Sequence, residues 1–157
     1  MEESIKSFQG KYSFLSNFHH SIVQFEGMNY PTVEHAYQAS KSTEYFFRKL
    51  MSATPAEKAG TAKKRGRAIR LRSGWEEIKI SIMHQLLREK FRNEPLRTKL
   101  LETGSAELIE GNYWHDNIWG VCFCDDKCKD IEGKNILGKL LMKVRSELNE
   151  KKDNNNG

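Results

Sequence analysis

From Trp75 to Phe91 the chain carries its most regular pattern: Trp75, Ile78, Ile82, Leu86 and Phe91 recur at helical spacing, with Met83 and Leu87 beside them and charged residues between. An apolar stripe of that period predicts an amphipathic core helix. Leu137, Leu140, Leu141, Val144 and Leu148 repeat it and predict a final core helix over 135–148, with Asn135 at the N-cap position. Two further helix starts are marked by proline. Tyr30-Pro31-Thr32 precedes a helix expected from about Val33 to Leu50, and Thr54-Pro55-Ala56-Glu57 joins a capping box to a proline ahead of a helix ending near Gly66. Asn93-Glu94-Pro95 breaks the periodicity and restarts a shorter helix through Leu96, Leu100 and Leu101, closed by Thr103-Gly104.

Elsewhere the period shortens. Aromatic and polar positions alternate around Phe8, Tyr12, Phe14, Phe18, Ile22, Val23 and Phe25, with Glu26-Gly27 as a turn, which predicts short strands or an extended layer. Leu108 to Glu110 and Ile118 to Cys124 read as strands separated by the polar, aromatic turn Asn112-Tyr113-Trp114-His115-Asp116-Asn117. The expected architecture is α+β: a helix-dominated single domain with a few short strands over 1–148, followed by a disordered polar tail over 149–157.

Composition narrows the class. With 157 residues, 38% of them hydrophobic and 30% charged, the chain has the make-up of one soluble domain, and no apolar run reaches the length of a membrane span. The Met-Glu-Glu start has no basic region leading into an apolar stretch, so a cytoplasmic location is expected. The number of subunits is left open. Cys122, Cys124 and Cys128 are odd in number and clustered, which argues against a disulfide framework. His115 lies nearby, yet paired Cys-x2-Cys spacing is missing; the expectation is reduced structural thiols, with no metal and no cofactor.

The net charge is +5, and much of it is local: Lys63, Lys64, Arg65, Arg67, Arg70 and Arg72 fall within ten residues. Such a run suits an anionic partner, either a phosphorylated metabolite or a nucleic-acid backbone, and equally a plain solvated face. A second candidate lies just after Pro31. Glu34, Gln38 and Lys41 return to nearly the same face of a helix at roughly 100° per residue. They form either a polar edge lining a cleft, with an acid/base group and an amine nucleophile, or an ordinary helix whose Glu complements the dipole and whose Lys is solvated.

Several ordered blocks favour the first of these. Phe14-Leu15-Ser16-Asn17-Phe18 and Tyr30-Pro31-Thr32-Val33-Glu34-His35-Ala36-Tyr37-Gln38-Ala39, followed by Lys41, resemble the opening block of the YbiA/NADAR family. Ala62-Lys63-x2-Gly66-Arg67, Leu71-Arg72-x2-Trp75, Ile118-Trp119-Gly120 and Gly133-x-Asn135-x-Leu137-Gly138 look like its later blocks, in order, over roughly residues 8 to 148. The chain departs from the family after Gly120, where Val121-Cys122-Phe123-Cys124 replaces a small glycine-containing turn.

The resemblance implies N-glycosidase chemistry at a ribose C1–N bond, on one of two substrates: ribosylamino-pyrimidine phosphate intermediates of riboflavin synthesis, or ADP-ribose attached to guanine in DNA. A non-catalytic ADP-ribose or nucleotide-binding module is the alternative. Cleavage calls for a carboxylate and an acid about C1, the expected roles of Glu34 and Asp116, while Lys41 is placed to form a Schiff base with the opened sugar. Asn17, Tyr37, Gln38, Trp119 and Gly120 are the expected base-binding residues, and Lys63, Arg67 and Arg72 the phosphate-binding ones. Trp75 is expected in the core.

Overall fold

The structure is a computed structural model and describes residues 3–156. It is helix-rich with short strands, as expected of an α+β chain, and it forms two compact units: Asn17–Arg92, and a second unit built from the chain up to Ser16 together with the chain from Asn93 onward.

The Asn17–Arg92 unit is arranged around one short helix. Strands β2 (Val23–Phe25) and β3 (Met28–Tyr30) pair antiparallel, with Val23 opposite Tyr30 and Phe25 opposite Met28. The two-residue Glu26-Gly27 turn between them has positive φ at both positions, the mirror-image turn that matches strand twist. Helix α1 (Val33–Ser40) follows and is contacted by the hairpin, by α2 (Tyr45–Ala53), by α3 (Ala59–Arg67) and by α4 (Trp75–Phe91). Trp75, Ile82, Met83, Leu86, Leu87 and Phe91 bury the predicted face of α4.

The expected helix from Val33 to Leu50 is two helices. Its interruption reads Lys41-Ser42-Thr43-Glu44, and Ser42 Oγ accepts the Glu44 backbone N–H at 3.0 Å while the Ser42 carbonyl accepts from Arg48 Nε at 2.7 Å. Hydroxyl residues compete for the backbone in this way, and here they end the helix. The Thr54 capping box does not form either. Thr54 Oγ1 donates to the Leu50 carbonyl at 2.7 Å and accepts from Arg65, and a short 3-10 turn over Ala56–Lys58 precedes α3.

In the other unit, β1 (Ser4–Ile5) pairs in parallel with β4 (Glu107–Leu108), and β5 (Gly111–Asn112) in parallel with β6 (Val121–Cys122). Residues Gly10–Leu15 form a 3-10 turn in place of extended chain. Helix α5 (Leu96–Glu102) packs on α6 (Ile136–Asn155), which buries Leu137, Leu140, Leu141 and Val144. Asn135 does not cap α6: its amide accepts from Glu110 N at 3.0 Å and donates to the Leu108 carbonyl at 2.9 Å, tying the helix start to β4. Arg145 is buried and donates to Thr103 Oγ1 and the Ala106 carbonyl. The expected tail after Leu148 is helical through Asn155, with its side chains from Asn149 exposed. Once a packed helix is nucleated, Glu150, Lys151 and Lys152 extend it by one hydrogen bond per residue without burying anything. Gly157 lies outside the described residues.

Candidate active site on a buried helix

All eight residues of α1 are buried, although Glu34, His35 and Gln38 are polar. Its first turn is closed from within: Thr32 Oγ1 accepts the His35 N–H at 3.1 Å and meets His35 Nδ1 at 2.6 Å, and the Asn17 carbonyl accepts the Glu34 N–H at 3.0 Å. Burying an ionisable side chain is unfavourable unless it is paired. Glu34 Oε1 accepts from Gln38 Nε2 at 2.7 Å, one turn along the helix. Burial is the largest influence on this carboxyl and pushes it above its ordinary value of 4.5, with the Gln38 bond and then the cations of Lys63, Lys41 and Arg67 pulling the other way.

Lys41 is the C-cap residue of α1 and is half-buried. Burial lowers its ammonium from 10.5; Glu34 opposes that, while Arg67, Lys63 and Lys79 add to it. The Glu34, Gln38 and Lys41 row is therefore an interior row, and the dry surroundings favour the neutral form of both its acid and its amine.

Helix α3 supplies the neighbouring cations. Gly66 faces Gln38 so closely that any side chain there would collide with the Gln38 amide, so the glycine lets α3 approach α1. Lys63 and Arg67 stand on that helix at either side of Gly66 and act on Glu34 electrostatically. Arg72 has other partners. Its guanidinium meets Glu26 Oε1 and the Ser40 carbonyl, each at 3.4 Å, and its backbone N–H donates to the Lys41 carbonyl at 2.7 Å, which makes it a brace for the end of α1.

Of the expected base-binding residues, Tyr37 is buried against Trp75, ring centroids 5.3 Å apart, with Lys41 Nζ 5.5 Å from its own ring centre. Trp75 is core, as expected. Asn17 donates through Nδ2 to Met83 Sδ at 3.5 Å. Asn17 Oδ1 and Gln38 Oε1 are buried with no hydrogen-bond partner among the described residues. A buried acceptor left alone costs about 1–3 kcal/mol. Asn17 and Gln38 were named from the sequence as base-binding residues; the close approach that Gly66 permits was not, since only its block match hinted at it.

Asp116, Trp119 and Gly120 belong to the other unit. Asp116 Oδ1 accepts the backbone N–H groups of Ile118 and Trp119 at 3.1 and 2.9 Å, holding the turn in which it lies. Trp119 is half-buried, and Gly120 is buried against the Glu110 carbonyl and the Asn112 amide, which leave no room for a side chain. Cys122, Cys124 and Cys128, expected as reduced structural thiols, are free of disulfides and converge with His115 into one cluster. Linear spacing missed it because β5–β6 pairing and the turn at 112–117 bring the four together.

Known proteins resemble the chain over nearly its whole length. The profile described as the NADAR domain matches residues 5–149. The N-glycosidase YbiA of Escherichia coli is 32% identical over 94% of this chain and 91% of its own length. A riboflavin biosynthesis protein of Vibrio vulnificus is 36% identical over 88% of the chain, which spans 36% of that longer protein. An N-glycosidase of Nostoc punctiforme is 33% identical over 87% of the chain and 86% of its own. The solution structure of the Escherichia coli YbiA protein superposes with a TM-score of 0.78 at 33% identity, covering 97% of this chain and 89% of that one. The chain belongs to the NADAR domain family.

Proposed function

We propose that this NADAR chain is an N-glycosidase that hydrolyses the bond between ribose C1 and an amine nitrogen in a phosphorylated ribosylamine of the riboflavin-intermediate type. The observation that carries the reading is the buried Glu34–Gln38 pair, 2.7 Å apart, with Lys41 on the same short helix and Lys63 and Arg67 acting on it from α3. The names of the N-glycosidase and riboflavin-biosynthesis relatives support the same class of substrate.

An N-ribosylamine opens to an imine at C1. The neutral Lys41 amine adds to C1, forming one C–N bond, and the bond from C1 to the leaving nitrogen breaks as that nitrogen takes the Glu34 proton. Water then adds to the lysine imine with the Glu34 carboxylate as base, releasing the sugar phosphate and restoring the amine. Lys63 and Arg67 hold the phosphate. Asn17 Oδ1 and Gln38 Oε1 accept from the ring's amino groups.

A second reading, removal of ADP-ribose from guanine in DNA, is favoured by the exposure of Lys64, Arg65, Arg67 and Arg70 on and after α3. Mass spectrometry of products from a panel holding both substrate types tests the proposal. Release of free sugar phosphate from the small ribosylamine is expected. Release from ADP-ribosylated DNA alone selects the second reading, and binding of ADP-ribose without any product sinks both in favour of a non-catalytic module.

A further inference from the structure

We propose that His115, Cys122, Cys124 and Cys128 form a closed, structural zinc site in the unit that carries Asp116 and Trp119. The four candidate ligand atoms lie within 4.8 Å of one another. His115 Nδ1 is 3.7 Å from Cys122 Sγ and 3.4 Å from the sulfurs of both Cys124 and Cys128.

Hydrogen bonding does not account for this arrangement, because one imidazole nitrogen donates or accepts a single hydrogen bond and here three sulfurs surround it. Coordination does. Zinc at the usual distances of about 2.3 Å to sulfur and 2.0–2.1 Å to nitrogen, with tetrahedral angles, separates N from S by about 3.5 Å and S from S by about 3.8 Å. The observed N to S distances are those edges. Three thiolates and one imidazole are also a soft, tetrahedral donor set suited to zinc.

The surrounding chain supports the four ligands. His115 adopts a positive φ of 70°, a backbone state that non-glycine residues occupy rarely. Asn112, almost fully buried, grips the Asp116 backbone through both ends of its amide, donating at 2.8 Å and accepting at 3.1 Å. The Asn117 side chain accepts the Cys122 N–H at 3.0 Å and donates to Cys128 Sγ at 3.1 Å, the kind of outer bond that orients a metal-bound thiolate. All three cysteines are free of disulfides. With four protein ligands there is no open position for substrate or water, so the ion's task is to fasten the 112–128 loop and not to take part in bond cleavage.

The full chain, expressed without a metal-binding tag and kept reduced, is to be assayed by metal analysis; one zinc per chain is expected. Metal-stripped protein titrated with Co(II) should show the intense visible bands of a tetrahedral thiolate site, saturating at one equivalent. Zinc should protect all three thiols from a thiol reagent until a chelator is added. Asn117→Ala should weaken zinc binding by roughly 10–100-fold, and Cys128→Ser by more than that upper figure. Wild-type protein that takes up neither zinc nor cobalt while its three thiols react freely would overturn the proposal. So would iron in place of zinc after zinc-replete expression, or a disulfide among these cysteines. The cobalt titration decides the question even if a cysteine variant fails to fold.

Discussion

Glu34 occupies a place where its charge is disfavoured, and this makes it the residue on which the proposal can be tested most directly. Glu34→Gln keeps the size and the bond to Gln38 in reach but cannot give or take a proton; turnover should fall by roughly 10²–10⁴-fold, measured as product release. Folding stability should move the opposite way. Because the folded carboxyl has its pKa above 4.5, its contribution is fully present below about that pH and is lost as pH rises through the folded value. The Gln variant should therefore melt higher than the wild type near neutral pH and lose that advantage near pH 4, as read by calorimetry. Lys41 has a sharper signature: borohydride added during turnover should trap a sugar adduct on it. No adduct, with an active Lys41→Ala variant, would remove the covalent step. Asp116 separates from both, since Asp116→Asn retains an Oδ1 acceptor for the Ile118 and Trp119 N–H groups. Activity close to wild type in that variant would give Asp116 a purely architectural role, and a loss of 10²-fold or more with unchanged melting would restore the carboxylate to the chemistry.

At the scale of elements, the face of α3 matters as much as α1. Gly66→Ala puts a methyl group against the Gln38 amide, and overpacking of this kind costs about 1–3 kcal/mol. The variant should unfold at lower denaturant and lose turnover further, because Gln38 is pushed off Glu34. Arg67→Met should spare the fold and raise KM by roughly 10–100-fold, the value of one charge-assisted bond. The two long helices α4 and α6 could be read from the chain because their apolar residues recur within a few positions and need no distant partner. The boundary between α1 and α2 could not, since Ser42 and Arg48 end the helix through bonds that periodicity does not encode. Pairing of β1 with β4 was hidden for the converse reason: two-residue strands carry almost no pattern, and these two partners are distant in sequence. The row Glu34, Gln38 and Lys41 was legible as a row, but its burial was not, because that depends on four elements closing over α1. The cysteine cluster likewise required the fold before its geometry existed.

For the molecule as a whole, a net charge of +5 attracts phosphates of every kind, so the salt response is a better discriminator than affinity. A substrate held through three backbone phosphates of duplex DNA should lose roughly 40-fold in affinity between 50 and 200 mM salt. A small ribosylamine phosphate, with one phosphate in the site, should show a much shallower rise in KM over that range. Among the described residues no helix is long and apolar enough to cross a membrane.

The division of the chain also has a consequence for its birth on the ribosome. The Asn17–Arg92 unit is one uninterrupted stretch, whereas the other unit needs Ser4–Ile5 to wait for Glu107–Leu108 before its first strand pair can form. At synthesis rates of about 5–20 residues per second, roughly 100 intervening residues impose a delay of roughly 5–20 s. The hairpin, α2, α3 and α4, which pack on α1, emerge during that interval, so the helix bearing the acid can be packed while the amino-terminal strand is still waiting for its partner.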